Sequence, residues 1–125
     1  MNDKTGRRAR ILIVDDEPMI AIFLESVLVE AGFEIAGVTG NLEKALSTVE
    51  SGICDAAVLD ANLDGVSAAP VAAALTARGL PFLVLSGYAA DQQPEALRAG
   101  RCLLKPADPG QLIKLLNHIV SEKQS

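Results

Sequence analysis

The chain has 125 residues, half of them hydrophobic, with 3 Phe, 1 Tyr and no Trp. That size fits a single compact domain built on an aliphatic, Ala-rich core and leaves little room for a second folded unit. Eleven Lys and Arg stand against 16 Asp and Glu, a net charge of −5. Because Lys4, Arg7, Arg8 and Arg10 crowd the start, residues 11–125 are more acidic still, which argues against nucleic acid or an anionic membrane as the main partner. No segment approaches the roughly 20 apolar residues of a membrane span, and the basic start runs directly into a short strand rather than a signal-peptide core. Cys54 and Cys102 fit no metal-ligand spacing and read as free thiols, so a cytoplasmic location is expected.

Residues 1–9 are polar and basic and read as a tail, with the domain over residues 10–122 and a short tail at 123–125. Strands are expected at Ile11–Val14, Phe33–Val38, Ala56–Leu59, Phe82–Leu85 and Cys102–Leu104. Most lack polar alternation, as befits strands covered by helices on both faces. Between the first two, Ile20, Phe23, Leu24, Val27, Leu28 and Ala31 recur at helical spacing and predict one buried face, closed by Gly32. The second helix opens at an Asn41 cap, buries Leu42, Ala45, Leu46 and Val49, and stops at Gly52. A third runs from about Pro70 to Arg78 before Gly79, and a short fourth covers about Gln92 to Ala99 before Gly100. The last has Asp108 as cap, Pro109 in its first turn and Gln111 at the capping-box position, and buries Leu112, Leu115, Leu116 and Ile119. Five strand-then-helix repeats with right-handed crossovers predict an α/β, doubly wound, five-stranded parallel sheet whose chemistry sits at the carboxyl ends of the strands.

Those ends carry a distinctive set. The first strand runs into Asp15-Asp16-Glu17, the third into Asp60, the fourth into Ser86-Gly87 and the fifth into Lys105-Pro106. In such a sheet the first and third strands are neighbours, so the carboxylates converge. A pair of like charges about 4 Å apart repels by roughly 4 kcal/mol at an effective dielectric near 20, which a hard divalent cation relieves. Mg²⁺ suits a site of one or two carboxylates that leaves room for a phosphoryl oxygen. Taken alone, Asp15 and Asp16 are equally well read as caps of the following helix. Asp60 has no cap role, because Asn62 and Asp64-Gly65 supply the turn chemistry that follows it. A Lys after a strand is usually a solvated edge residue, and a lone Ser-Gly is usually a turn. It is their joint placement on four strand ends that points to a site.

On Asp15-Asp16, Asp60, Ser86 and Lys105-Pro106, in this order and strand context, residues 10–121 closely resemble the CheY-like receiver domain of two-component response regulators. The resemblance implies a flavodoxin-like sheet in the order 2-1-3-4-5 with five helices. It makes Asp60 the phosphoacceptor, gives Mg²⁺ the ligands Asp15, Asp16, Asp60 and the Asn62 carbonyl, the first two directly or through water, and sets Lys105 against a phosphoryl oxygen. Ser86 becomes the group that senses the phosphoryl. The donor is expected to be the phosphohistidine of a sensor histidine kinase or of a histidine phosphotransfer protein, or a small acyl phosphate. No turnover of an external substrate is expected, nor is a DNA-binding or catalytic effector expected after the last helix, so output is expected through contacts with an unidentified downstream protein. The alternative is a degenerate receiver that docks without being phosphorylated.

Two features depart from the commonest receiver pattern. Three residues before the lysine, where an aromatic switch residue is usual, stands Cys102. Residues 81–88, ending Leu85-Ser86-Gly87-Tyr88, resemble instead the Phe-Ala-Thr-Gly-Tyr motif of an alphaproteobacterial subfamily, often single-domain and linked to stress signalling, as do the stretch at 77–82 and the short loop from Asp60 to Gly65. Tyr88, the one tyrosine, is then a candidate switch, or else an ordinary loop aromatic with a wet hydroxyl. His118, the one histidine, lacks a neighbouring acid or metal spacing and is read as a surface residue of the last helix. A dinucleotide-binding fold is disfavoured because the turn after the first strand has no G-x-G-x-x-G, and a phosphatase of related fold would carry its paired acids two residues apart.

Overall fold

The computed structural model describes residues 8–87 and 94–124. In chain order the elements are β1 (Arg10–Val14), α1 (Pro18–Glu30), β2 (Glu34–Thr39), α2 (Leu42–Ser51), β3 (Ala56–Asp60), β4 (Asn62–Leu63), β5 (Val66–Ser67), α3 (Ala69–Ala77), β6 (Phe82–Ser86), α4 (Glu95–Arg98), β7 (Arg101–Leu104) and α5 (Pro109–Gln124). The main sheet is parallel in the order β2-β1-β3-β6-β7, which is the expected 2-1-3-4-5 once the small strands β4 and β5 are set aside. The sheet's side chains alternate between two cores. Ile11, Ile13, Val58, Leu83, Leu85 and Leu103 pack with Leu24 and Leu28 of α1 and with Leu112, Leu116, Ile119 and Val120 of α5. On the other face Leu12, Val14, Ala57, Leu59 and Val84 meet Ala45 and Val49 of α2, Val71, Ala72 and Leu75 of α3, and Leu97 of α4. The three central strands thus meet no water, which is why they read as unbroken apolar runs.

The caps of two helices form as their sequences require. Asn41 Oδ1 accepts the Lys44 N–H at 2.9 Å, and Gly52 ends α2 with φ of 77°. Asp108 Oδ2 accepts the Gln111 N–H at 2.9 Å at the start of α5.

Elsewhere the structure departs from the sequence pattern. In α1 the expected residues Ile20, Leu24, Val27, Leu28 and Ala31 do pack on the core, but Phe23 is 40% exposed and Ala21 is buried, because a helix apolar on nearly every side leaves the edge of its buried face undefined. Ala9, assigned to the tail, is fully buried and its carbonyl accepts the Glu34 N–H at 2.9 Å. The small antiparallel hairpin β4–β5 was not expected as strand. Asp64 (φ 51°) and Gly65 (φ 87°) both take the left-handed conformation that a two-residue primed hairpin turn needs. The regular part of α4 begins only at Glu95, and Gln92 lies outside the described residues.

Candidate functional site

The parallel register builds the site. Val14 pairs with Leu59 and Asp60 with Leu85, so the residue after β1, Asp15, arrives beside Asp60. Ser86 pairs with Leu104, and the Lys105 N–H donates to the Ser86 carbonyl at 2.8 Å, which brings the lysine to the same rim. Asp15, Asp60 and Ser86 are the buried polar side chains among the described residues, each under 5% exposed. Burying them so deeply is costly unless each finds a partner.

One oxygen of each buried acid is accounted for locally. Asp15 Oδ1 accepts the Glu17 N–H at 2.9 Å, and Asp60 Oδ1 accepts the Asn62 N–H at 3.1 Å. Asp60 Oδ2 faces Lys105 Nζ at 3.1 Å. Asp15 Oδ2, by contrast, is buried with no hydrogen-bond partner. Burial is the main cause that lifts the Asp15 carboxyl above its usual range; the Glu17 N–H opposes it, and the charge of Asp60 adds to the rise. One carboxylate oxygen each from Asp15, Asp16 and Asp60 lie within 4.8 Å of one another, with Asp16 the more accessible member. The helix-cap reading of the acidic pair does not hold: α1 starts after Glu17 with no side-chain cap, and Asp15 closes only the turn that precedes the helix.

A hard cation fits this donor set, since the orphaned Asp15 oxygen is a ligand atom already stripped of water beside two further carboxylates. Asn62, whose carbonyl is the further expected donor, is exposed at the mouth, where its own Oδ1 accepts the Gly65 N–H at 2.6 Å and ties down the β4–β5 turn. Beside the acids opens a pocket of about 370 Å³ lined by Glu17, Asp60, Asn62, Ser67, Ser86, Pro94 and Lys105. Ser67 and Pro94 had no signal in the sequence, because only the folding back of β5 and the start of α4 bring them to the mouth.

The remaining candidates lie elsewhere. Tyr88 falls outside the described residues. Cys102 is half-buried on β7 beside Val84, where burial pushes its thiol pKa up, and Cys54 is buried in the core. His118 is exposed on α5 and does not line the pocket beside the acids.

A doubly wound sheet with a lysine-paired acidic pocket at its strand ends defines a small class of α/β proteins. Within that class, the chain belongs to the response regulator receiver domain family, whose model matches residues 11–117. It is similar to the virulence transcription regulator BvgA of Bordetella pertussis, 34% identical over 75% of this chain and 44% of BvgA. It is also similar to the transcriptional regulatory protein PdtaR of Mycobacterium tuberculosis, 31% identical over 90% of this chain and 57% of PdtaR. The chain therefore spans about half the length of these relatives. Among solved structures, SdrG from Sphingomonas melonis Fr1 is 38% identical, with a TM-score of 0.77 over 90% of this chain and 97% of SdrG.

Proposed function

We propose that Asp60 is the phosphoacceptor of a two-component pathway, taking its phosphoryl group from a phosphohistidine on a sensor kinase or phosphotransfer protein. The observation that carries this is the asymmetry at the pocket: Asp60 Oδ2 is held 3.1 Å from Lys105 while the neighbouring Asp15 Oδ2 is buried and unpartnered. In the reaction an Asp60 carboxylate oxygen attacks phosphorus, the P–N bond breaks, and the imidazole leaves with the electron pair and takes up a proton. Lys105 then offers its ammonium to a phosphoryl oxygen in place of the carboxylate, and the Ser86 hydroxyl donates to another. Asp15, Asp16, Asp60 and the Asn62 carbonyl would hold Mg²⁺, which when bound supplies charge neutralisation for phosphoryl transfer.

The domain of residues 10–122 accordingly catalyses only its own phosphorylation and dephosphorylation, and it works through protein partners. Next to the pocket, α1 presents Met19, Ile22 and Phe23 with 79%, 61% and 40% exposure, and an apolar groove runs past Ile20 and Phe23 to Lys105 and Pro106. A donor must bring its histidine to Asp60, and this flank offers the apolar surface on which a donor helix can rest. The 38% identity to SdrG and the Leu-Ser-Gly-Tyr sequence favour the alphaproteobacterial subfamily, with Tyr88 as its switch in place of the aromatic replaced by Cys102. The experiment is treatment with acetyl phosphate or beryllium fluoride in the presence of Mg²⁺, read by mass and by amide spectra. Wild type should be modified and Asp60→Asn should not. An unmodified wild type would leave a docking module that needs no phosphate.

A further inference from the structure

The turn between β2 and α2 lies against the backbone of the acidic pair. A Cβ built on Gly40 would stand 2.6 Å from the Asp16 Cα, 3.0 Å from its Cβ and 3.2 Å from the Asp15 carbonyl oxygen. The first of these is a backbone atom and cannot swing aside. The Gly40 backbone is not in the left-handed region, so the absence of a side chain serves close approach and not conformation.

The turn is also fastened on both sides of Gly40. The Asp15 N–H donates to the Thr39 carbonyl at 3.0 Å, extending the β1–β2 ladder by one step into the acidic turn. After the glycine, the Asn41 N–H donates to Thr39 Oγ1 at 3.0 Å, and Asn41 itself caps α2. A turn bolted at both ends cannot retreat from an added methyl; the acidic turn must move instead.

We infer that Gly40 is a positioning residue for the cation site: its bare Cα lets the β2–α2 turn act as a backstop that sets where Asp15 and Asp16 present their carboxylates. The inference rests on the proposed use of those acids for Mg²⁺. Gly40 touches no phosphoryl group and acts only through the backbone it supports. Its role is that of an outer layer that orients ligands, whose disruption ordinarily weakens metal affinity by about 10–100-fold.

The test is a calorimetric Mg²⁺ titration of wild type, Gly40→Ala and Gly37→Ala, with the melting temperature of each measured with and without Mg²⁺. Gly37 lies on β2, three residues before Gly40, but a Cβ there would meet only Leu12 Cδ1 at 3.6 Å and Thr48 Cγ2 at 4.0 Å, which is ordinary contact. Gly40→Ala should weaken Mg²⁺ binding about tenfold or more and shrink the thermal gain from Mg²⁺, while Gly37→Ala keeps both. A purely structural role would lower both melting temperatures of Gly40→Ala equally and leave the Mg²⁺ affinity at the wild-type value, which would overturn the inference. Saturable Mg²⁺ binding absent from wild type itself would overturn instead the reading on which it rests. If Gly40→Ala does not fold, amide exchange in the wild type decides. Saturating Mg²⁺ should slow exchange at both Asp15 and Asn41, the two amides bonded to Thr39, and unchanged exchange at Asn41 would count against the backstop.

Discussion

Two aspartates in this molecule face a cation at an end of β3, and the two pairs are built to opposite specifications. At the amino end Asp55 takes the Arg10 backbone N–H at 2.8 Å, its Nε at 3.1 Å and its Nη2 at 3.1 Å, so both carboxylate oxygens and the guanidinium fork are engaged. The bond to Asp55 is the leading cause that raises the arginine's pKa. At the carboxyl end Asp60 meets Lys105 through one contact, beside an acid whose second oxygen has no partner. The first pair is saturated with its own hydrogen bonds and ties β1 to the start of β3. The second is deliberately unfinished, and a point charge on a flexible stem is the cation that can change partners.

Exchanging the two positions in mutagenesis gives the largest contrast. Asp60→Asn should abolish labelling by acetyl phosphate, whereas Asp55→Asn should label like wild type yet lose about 1–2 kcal/mol of stability in urea titrations, the loss of a charged, partly exposed bidentate pair. Labelling that survives Asp60→Asn, or disappears with Asp55→Asn, would erase the distinction. Next in size is the response to the ion. Mg²⁺ at 100 times its dissociation constant should stabilise the wild type by about 2.7 kcal/mol, provided the unfolded chain binds none. Asp55→Asn should keep that increment and Asp15→Asn should lose most of it, which a pair of urea titrations with and without Mg²⁺ checks.

The open rim was legible in the sequence and the closed one was not. Asp15, Asp60, Ser86 and Lys105 each interrupt or follow an unbroken apolar strand, and parallel topology alone carries such residues to one edge. In the sequence Arg10 is the last of the basic residues that crowd the start, and Asp55 stands in the connection before the third strand with no motif around it; their pairing depends on the α2–β3 connection meeting the start of β1, which no local pattern encodes. The same holds for Gly40, whose need to be bare arises from a backbone 24 positions away. On α1 periodicity picked out Ile20, Leu24, Val27, Leu28 and Ala31, which do face the core, and left Met19 and Ile22 outside the stripe; it erred at Phe23, which is 40% exposed at the edge of the buried face.

The smallest effect concerns pH, and it too separates the rims. In metal-free protein the Asp15 carboxyl lies above its unfolded value, chiefly through burial, with the Asp60 charge adding to it. Between the two values the folded state holds more proton than the unfolded chain, so stability must fall as pH rises from the ordinary aspartate range to the raised one, and stay lowered above it. Removing the charge removes the penalty: Asp15→Asn in EDTA should gain stability at neutral pH, on the order of 1 kcal/mol if the repulsion from Asp60 is largely screened. Mg²⁺ should reverse the sign for wild type, because a cation that demands the ionised carboxylates favours the deprotonated folded state. The Arg10–Asp55 pair gives no such reversal, since neither member lacks a partner for the ion to supply. Urea titrations from pH 4 to pH 8, with EDTA and with Mg²⁺, therefore should give slopes of opposite sign, and parallel slopes would mean that the acids at the open rim never needed the ion.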